Sequence, residues 1–175
     1  MGIEIERKFL VMGRSWESLP GTRFRQGYLS AEPGRTVRVR VAGERAFLTI
    51  KGEPKGEQKL ARLEFEYEIP VQDAHTMLDE LAQGIVIDKV RRVIDVGGSA
   101  WELDEFFGEN QGLVVAEIEL SSEGDAFSMP DWAGAEVSTD ARFANSRLSV
   151  MPFSAWSEAD RVAVIAGRTP SFFSG

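Results

Sequence analysis

Ionisable side chains recur at every second position along this chain, and each run of them carries mostly one sign of charge. Residues 3–11 place Glu4, Glu6 and Lys8 on one face of a predicted strand, because alternate residues of a strand point to the same side. Further pairs at the same spacing are Arg38 with Arg40, Lys89 with Arg91, Glu64 with Glu66, Glu102 with Asp104, and Glu117 with Glu119. Like charges two residues apart repel each other, so such pairs require counterions or ligands.

Carboxylates and basic groups in this alternation suit the joint binding of metal and phosphate. Carboxylates brought together from several strands would bind a hard divalent cation, Mg²⁺ or Mn²⁺, through oxygen. Arginines beside them would bind phosphate oxygens in a bidentate fork, and lysines would bind them as point charges. The set therefore predicts a site for a chain of phosphates that divalent ions link to carboxylates and that basic side chains hold directly.

An open sheet with its charged face in water is the ordinary explanation for alternation of this kind. Two features favour a charged interior instead. Serine, threonine and asparagine are scarce on the polar faces, and the signs of charge segregate by strand. A sheet that closes with these faces inward would bring acidic and basic pairs together, and its outward apolar faces would need helices to cover them.

The alternation predicts eight strands, at residues 3–11, 24–29, 36–41, 45–51, 62–69, 86–96, 100–106 and 114–120. Turns containing glycine, such as Pro33-Gly34 and Gly97-Gly98, separate them, which is typical of antiparallel hairpins. The predicted fold class is therefore α+β, with an eight-stranded antiparallel closed barrel and helices packed on its outside.

Helices are predicted in three places. The first lies between Pro70 and Gly84, with Asp73 near its start and Gly84 as a candidate C-cap. A second helical region is expected within residues 139–149. A third short helix would begin with Ser154 as its N-cap and run to Ala166, followed by a loose tail.

The composition excludes several kinds of site. The chain has 175 residues and a mass of 19.4 kDa, the size of one ordinary domain. Cysteine is absent and His75 is the single histidine. Thiolate nucleophiles, histidine-rich metal sites and catalytic triads are thereby excluded, and His75 itself is expected to face solvent. The chain has no GxxxxGK[ST] phosphate-binding loop, so phosphates must be bound by side chains.

The net charge of -8 argues against nucleic acid and anionic membranes as partners. No run approaches the ~18 apolar residues of a membrane span, and the N-terminus has no apolar signal core. We therefore expect a cytoplasmic protein that binds no nucleic acid or membrane and meets a polyanion only locally, as a small molecule.

A set of motifs resembles one protein family along residues 1 to about 153. The segment Glu4-Ile5-Glu6-Arg7-Lys8 matches the ExExK signature of the CYTH superfamily, also called triphosphate tunnel metalloenzymes. The order and spacing of the later motifs resemble the short bacterial members: Gln26-Gly27-Tyr28-Leu29, Val37-Arg38-Val39-Arg40, Leu48-Thr49-Ile50-Lys51-Gly52, Arg62-Leu63-Glu64-Phe65-Glu66, Lys89-Val90-Arg91, Leu103-Asp104-Glu105-Phe106, Ala116-Glu117-Ile118-Glu119-Leu120 and Glu136-Val137-Ser138-Thr139-Asp140.

The resemblance implies a barrel whose tunnel binds a triphosphate and one or two divalent cations. By position, it implies metal ligands at Glu4, Glu6, Asp104, Glu117 and Glu119. It implies phosphate-binding residues at Lys8, Arg38, Arg40, Lys51, Lys89 and Arg91, with Glu64, Glu66 and Glu102 orienting them. Catalytic roles fall to Lys8, Tyr28 and Lys89. The phenol of Tyr28 would assist proton transfer or position water, or would simply bond to a carboxylate, and the residues do not decide between these.

The expected function is metal-dependent hydrolysis of inorganic tripolyphosphate to pyrophosphate and phosphate. The alternatives are a class IV adenylyl cyclase, a thiamine triphosphatase, a nucleoside triphosphatase, or a non-catalytic binder of polyphosphate or nucleotides. Phe143 stands where the short bacterial members usually carry tyrosine, which puts a hydroxyl role there in doubt.

Two regions are expected, a tunnel domain at residues 1–153 and an extension at residues 154–175. Three alternatives are open for Phe172 and Phe173 in the extension: they pack back on the domain, mediate association as in a homodimer, or are disordered.

Overall fold

Nine antiparallel strands dominate the protein, whose computed structural model describes residues 2–57 and 60–171. Within these residues, the strands are β1 (Gly2–Val11), β2 (Thr22–Glu32), β3 (Arg35–Ala42), β4 (Arg45–Gly52), β5 (Ala61–Ile69), β6 (Gln83–Val96), β7 (Ser99–Phe106), β8 (Val114–Leu120) and β9 (Ala133–Glu136). The helices are α1 (Val71–Glu80), α2 (Asn145–Leu148) and α3 (Glu158–Ile165). None of the described helices is long and apolar enough to span a membrane.

The first eight strands close into a barrel. They pair in the order β5-β4-β3-β2-β6-β7-β8-β1, and β5 returns to pair with β1. The predicted closed eight-stranded antiparallel barrel is thus confirmed. The short strand β9 was not predicted, because its sequence Ala-Gly-Ala-Glu carries no alternation.

Strand β1 uses one edge for β8 and divides the other between two partners. Residues 2–5 pair with residues 61–64 of β5, and residues 9–11 lie against β9. Between these two pairings, the backbone of Lys8 bonds to the chain that follows β9: its carbonyl accepts from Val137 N at 2.9 Å, and its N–H donates to Ser138 Oγ at 2.9 Å. The central part of β1 is therefore held by the C-terminal third of the chain.

The apolar outer faces of the barrel are covered as predicted. Ala74 and Leu78 of α1 pack on Val39, Val41 and Ala46 of the strands. A second cluster holds buried aromatic residues beneath the loops after β1 and β8, and a third packs the C-terminal segment against the barrel through Phe143, Phe153 and Trp156. The strand residues of the first two clusters face outward, whereas Leu10, Ile87, Phe106 and Val115 of the third cluster share the parity of the ionic residues and fill one end of the barrel interior beneath the C-terminal segment.

The ends of two predicted helices differ from expectation. Helix α1 starts directly after Pro70 and has Leu81 as its C-cap. Gly84 instead lies in β6, at a φ of 70°, and a Cβ there would come within 2.2 Å of the Ser149 carbonyl oxygen. The close approach of residue 149, rather than a helix end, requires this glycine.

The N-cap of the last helix was also placed wrongly. Ser157, not Ser154, caps α3, because its Oγ accepts from Asp160 N at 3.1 Å. The Ser154 hydroxyl donates to Glu109 Oε2 at 2.8 Å instead. Residues 139–149 contain a 3-10 turn at Ala141–Phe143 and the single helical turn α2. Phe172 and Phe173 lie outside the described residues.

Candidate active site

The barrel encloses a cavity of about 390 Å³ whose wall is almost entirely ionic. Its lining includes most of the predicted site residues: Glu4, Glu6, Lys8, Tyr28, Arg38, Arg40, Lys51, Arg91, Glu117 and Glu119. These residues meet because each strand turns every second side chain inward. A period of two in the sequence therefore becomes one continuous surface in the closed barrel. All eight barrel strands contribute to the lining, which explains how residues from position 4 to position 119 converge.

Lys89 and Asp104 lie next to each other beneath the cavity wall and do not line the cavity itself. Both side chains have no exposed surface, and Lys89 Nζ contacts Asp104 Oδ2 at 2.6 Å. Arg91 grips the same carboxylate with Nε at 2.7 Å and Nη2 at 2.8 Å. Burial lowers the pKa of Lys89 to about 7. Burial also opposes ionisation of Asp104, but Arg91 and Lys89 outweigh it and hold its pKa below the ordinary value.

Glu6 and Glu117 form a carboxyl pair that shares a proton. Burial, followed by the charge of Glu117, raises the pKa of Glu6 to about 8. Burial acts in the same direction on Glu117, but Lys8 and Arg91 overcome it, and a hydrogen bond from Glu6 assists, so the pKa of Glu117 lies well below its ordinary value. At neutral pH, Glu6 therefore carries the proton and donates it to the ionised Glu117 in the absence of metal.

A second carboxyl pair lies around Lys51. Its Nζ contacts Glu4 Oε2 at 2.7 Å and Glu64 Oε2 at 3.8 Å. Burial raises the pKa of Glu64 to about 7, and its hydrogen bond with Glu4 contributes to this shift. The charge of Lys51 outweighs burial at Glu4, whose pKa is lowered. Glu64 was predicted only as an orienting residue, and it does share the lysine that orients Glu4.

The arginines of β3 have donors to spare. Arg38 Nη2 donates to Thr49 Oγ1 at 3.0 Å and lies 3.6 Å from Glu66 Oε2, whereas its buried Nε has no partner. Arg40 Nε donates to Gln26 Oε1 at 2.9 Å, and its guanidinium lies over the ring of Phe24. An unpartnered guanidinium donor facing a cavity indicates an anionic ligand, because a buried donor is costly to leave unpaired.

The side chain of Lys8 contacts the backbone of Phe143, the position at which the short bacterial members usually carry tyrosine. Lys8 Nζ donates to the Phe143 carbonyl oxygen at 3.1 Å and contacts Glu117 Oε1 at 3.2 Å. Burial disfavours the charged amine, but Glu117 and Glu6 outweigh it, so the pKa of Lys8 is raised. The phenylalanine thus reaches the site through its backbone carbonyl, and a side-chain hydroxyl is not needed for this contact.

Tyr28 lies on the cavity wall opposite Arg38 in the adjacent strand. It is 5% exposed and packs into the C-terminal core cluster. This location is compatible with either role considered for its phenol, and the role stays a prediction. Glu119 also lines the cavity, but as an exposed residue near its opening.

Several lining residues were missed from the sequence. Thr36 and Thr49 follow the same parity as Arg38 and Lys51, so the alternation could have identified them. Arg62 Nε is another buried donor without a partner, although Arg62 was recognised only as part of a motif. Asn145 and Ser146 come from α2, where no periodic signal marks an inward face.

The carboxylates fit a metal ion that the substrate helps to hold. Within residues 2–57 and 60–171, no group of three acidic or histidine side chains is arranged to bind an ion by itself. Mg²⁺, however, usually keeps several waters and binds through one or two carboxylates together with substrate phosphates. Glu6 and Glu117 are hydrogen-bonded to each other in the cavity wall, where their oxygens could act as two hard ligands for such an ion.

Without metal, the midpoint of thermal unfolding should fall as the pH is raised from 5 to 7. The folded protein retains protons on Glu6 and Glu64, with pKa values of about 8 and about 7, whereas an unfolded chain releases them near 4.5. The folded state then binds more protons than the unfolded state, so the free energy of unfolding decreases with pH, by roughly 1 to 3 kcal/mol. Above pH 7, Lys89 acts with the opposite sign because its pKa is lowered to about 7.

Calorimetry in a chelating buffer would measure this slope. Glu6→Gln cannot ionise and should flatten it, whereas the same change at the exposed Glu57 should leave it unaltered. A wild-type midpoint that stays constant or rises between pH 5 and 7 would contradict the proton assignment.

A closed antiparallel barrel with carboxylates and cations facing each other across its bore defines a tunnel for a phosphorylated ligand. The CYTH domain family matches residues 2–151, and the chain belongs to this family. An inorganic triphosphatase from Acetivibrio thermocellus is 46% identical over 159 residues, covering 90% of this chain and 100% of the relative. One from Nitrosomonas europaea is 36% identical over 153 residues, covering 84% and 97%.

Solved structures agree with this assignment. The crystal structure of an inorganic triphosphatase, 34% identical, superposes with a TM-score of 0.61 and covers 86% of this chain and 96% of its own. A Hippeastrum protein with a dominant triphosphatase activity has the same fold at 18% identity, with a TM-score of 0.53 over 68% of this chain and 80% of its own.

Proposed function

We propose that the protein is a metal-dependent triphosphatase that hydrolyses inorganic tripolyphosphate to pyrophosphate and phosphate. The observation that carries the proposal is the cavity wall, where acidic and basic side chains alternate around one bore and Arg38 keeps an unpartnered donor. Inorganic triphosphatases at 46% and 36% identity support it. A small substrate that lies wholly inside the bore also agrees with the ionic lining, which offers little apolar surface to a nucleoside base.

Phosphate binding is assigned to the basic side chains of the wall, which are Lys8, Arg38, Arg40, Lys51 and Arg91. Four of them are paired with carboxylates in the absence of substrate: Lys8 with Glu117, Arg38 with Glu66, Lys51 with Glu4, and Arg91 with Asp104. These contacts hold the cations in the bore before substrate arrives, so less side-chain entropy is lost on binding. Arg38 lines the cavity, and its buried Nε keeps a hydrogen-bond donor without a partner.

Glu4, Glu6 and Glu117, with Glu119 near the opening, would hold Mg²⁺ or Mn²⁺. A divalent cation there would neutralise charge on the phosphates and lower the pKa of a bound water. For Asp104, the geometry favours another role than the predicted metal ligation: its carboxylate is saturated by Lys89 and Arg91 and lies below the cavity. We assign Asp104 the role of orienting Arg91, and we assign Lys89 the role of neutralising the Asp104 carboxylate.

The chain's own groups can orient the substrate and manage one proton. Lys8, fixed between Glu117 and the Phe143 carbonyl, presents its ammonium group to a phosphate oxygen on which charge develops during transfer. Glu6 holds a proton with a pKa of about 8, close to the operating range of a proton donor or acceptor. Glu6 can accept the proton of the attacking water only after it has released its own, as ligation of a divalent cation would require.

The test is an assay of purified protein with Mg²⁺ or Mn²⁺ and three separate substrates. We expect phosphate and pyrophosphate from tripolyphosphate, with much less product from thiamine triphosphate or ATP and no cyclic AMP. Formation of cyclic AMP from ATP would indicate a cyclase instead. Binding of tripolyphosphate without turnover of any of the three would indicate a non-catalytic polyphosphate binder and would overturn the proposal.

A further inference from the structure

The side chain of Lys8 depends on an unusual backbone feature. The 3-10 turn Ala141–Phe143 ends in an extended residue, Ala144, with φ −66° and ψ 133°, before α2 begins at Asn145. This break turns the Phe143 carbonyl oxygen towards Lys8 Nζ, which it accepts at 3.1 Å in a buried environment. The position of the ammonium group is therefore set by the position of one short turn.

That turn is packed against the C-terminal segment. The ring of Phe143 meets the ring of Trp156 edge-on, with centroids 5.2 Å apart, and Trp156 in turn meets Phe153 at 5.2 Å. Phe143 is 1% exposed, so this contact is part of the core rather than a surface feature. Trp156 lies beyond residue 151, where the match to the CYTH domain ends.

Polar contacts tie the same turn to the end of the described chain. Arg142 lies over Trp156 and donates to Asp140 Oδ2 at 2.7 Å and to the Ser171 carbonyl oxygen at 3.2 Å. Asp160 accepts from both the backbone N and the hydroxyl of Ser171, at 2.9 and 2.8 Å. The end of the described chain thus lies beside the turn, where Arg142 and Asp160 hold Ser171 by hydrogen bonds.

The C-terminal segment also supports the backbone of Lys8. Ala135 N donates to the Gly167 carbonyl oxygen at 3.0 Å, which fixes β9 from outside. The chain leaving β9 bonds to both the N–H and the carbonyl of Lys8 through Ser138 and Val137. Residues 137 and 138 therefore hold the backbone of Lys8 and residue 143 holds its ammonium group, while residues 153–171 contact Ala135 through Gly167 and the ring of Phe143 through Trp156.

We propose that residues 153–171 form a brace that positions Lys8, and that Trp156 is its principal positioning residue. The inference rests on the proposed function, because it assigns to Lys8 the role of a phosphate-binding group in hydrolysis. Trp156 does not touch the cavity. Trp156 acts through the Phe143 carbonyl. Loss of Trp156 would allow the ammonium group of Lys8 to move away from the phosphate oxygen on which charge develops.

A double-mutant cycle tests this coupling. Trp156→Ala is expected to lower kcat for tripolyphosphate about 10- to 100-fold, the cost of a displacement near 1 Å in a positioned group, while KM changes by less than about threefold. In a Lys8→Met background, the same change should have almost no further effect on kcat, since the group it positions is gone. Trp156→Phe keeps an aromatic contact and should recover most of the activity.

Trp16→Ala is the matched control. Trp16 is also buried, at 4% exposed against 9% for Trp156, but belongs to a different aromatic cluster. It should lower the thermal midpoint without the kcat loss of Trp156→Ala, when both are assayed well below their midpoints. If Trp156→Ala does not fold, Asp160→Asn loosens the brace without a cavity and should show the same non-additivity with Lys8→Met at smaller amplitude.

Independent, multiplicative losses from Trp156→Ala and Lys8→Met would overturn the brace. Equal kcat losses from Trp16→Ala and Trp156→Ala would overturn it as well, because they would show a general effect of destabilisation. Calorimetric titration with tripolyphosphate supplies a readout without turnover: a wild type that binds but does not hydrolyse contradicts the proposed function, and the cycle is then scored on Kd by the same criterion.

Discussion

Replacing Lys8 with methionine is expected to lower kcat for tripolyphosphate by about 10²- to 10³-fold, the usual cost of removing one preorganised donor from a transition-state site. Methionine retains the length and apolar volume of the lysine stem but has no ammonium group. In the wild type this group is fixed by Glu117 and the Phe143 carbonyl and is 8% exposed as a residue. Steady-state release of phosphate from tripolyphosphate, at saturating Mg²⁺, measures the effect.

Lys55→Met is the control for Lys8→Met, because Lys55 is an exposed lysine outside the barrel interior. It should retain wild-type kcat. Circular dichroism spectra should show that both variants fold, although Lys8→Met leaves Glu117 with less compensation and should melt earlier. Wild-type turnover by Lys8→Met would remove Lys8 from the site and with it the proposed arrangement of the bore.

The second large effect is on stability. Asp104→Asn should reduce the free energy of unfolding by about 3 to 5 kcal/mol, the cost of breaking a buried ion pair from one side. The carboxylate is completely buried and is the shared partner of Lys89, also with no exposed surface, and of Arg91. Without it, Arg91 loses a buried counter-charge, and Lys89, whose pKa is already lowered to about 7, loses the carboxylate that favours its charged form. Denaturant unfolding followed by tryptophan fluorescence would measure the loss.

Asp88→Asn provides the comparison for Asp104→Asn. Asp88 pairs with Arg23 on the surface, where both side chains are partly in water, so its replacement should cost less than about 1 kcal/mol. The experiment also separates the two roles considered for Asp104. An Asp104→Asn protein that unfolds like the wild type but needs far more Mg²⁺ for activity would identify Asp104 as a metal ligand and contradict the structural assignment.

The inward faces could be predicted from the sequence because the side-chain period of a strand is two. Parity alone assigned Glu6, Arg38 and Glu117 to one interior, and the structure brings them to one cavity. Arg7 and Arg92 lie on the opposite parity of their strands, and the structure shows that they pair with Glu136 and Glu105 away from the cavity.

Depth within the barrel could not be predicted, because it depends on strand tilt and on the register between strands rather than on parity. Asp104 and Glu119 have the same signal in the sequence, yet one is sealed below the cavity and the other is exposed near its opening. The contact of Lys8 with the Phe143 carbonyl was also beyond reach, since any residue offers a carbonyl and only the local chain direction shows where it points.

The short pairing of β1 with β5 gives the first residues of the chain a double task. Among residues 2–57 and 60–171, the pairing of residues 2–5 with residues 61–64 is the strand contact that closes the cylinder on this side, and the same stretch carries Glu4 and leads directly into Glu6. Fraying of the N-terminus would therefore open the barrel between β1 and β5 and at the same time remove acidic side chains from its cavity. At this seam, the closure of the barrel and the position of its acidic side chains depend on the same residues. A fusion partner attached ahead of Gly2 would therefore disturb both together.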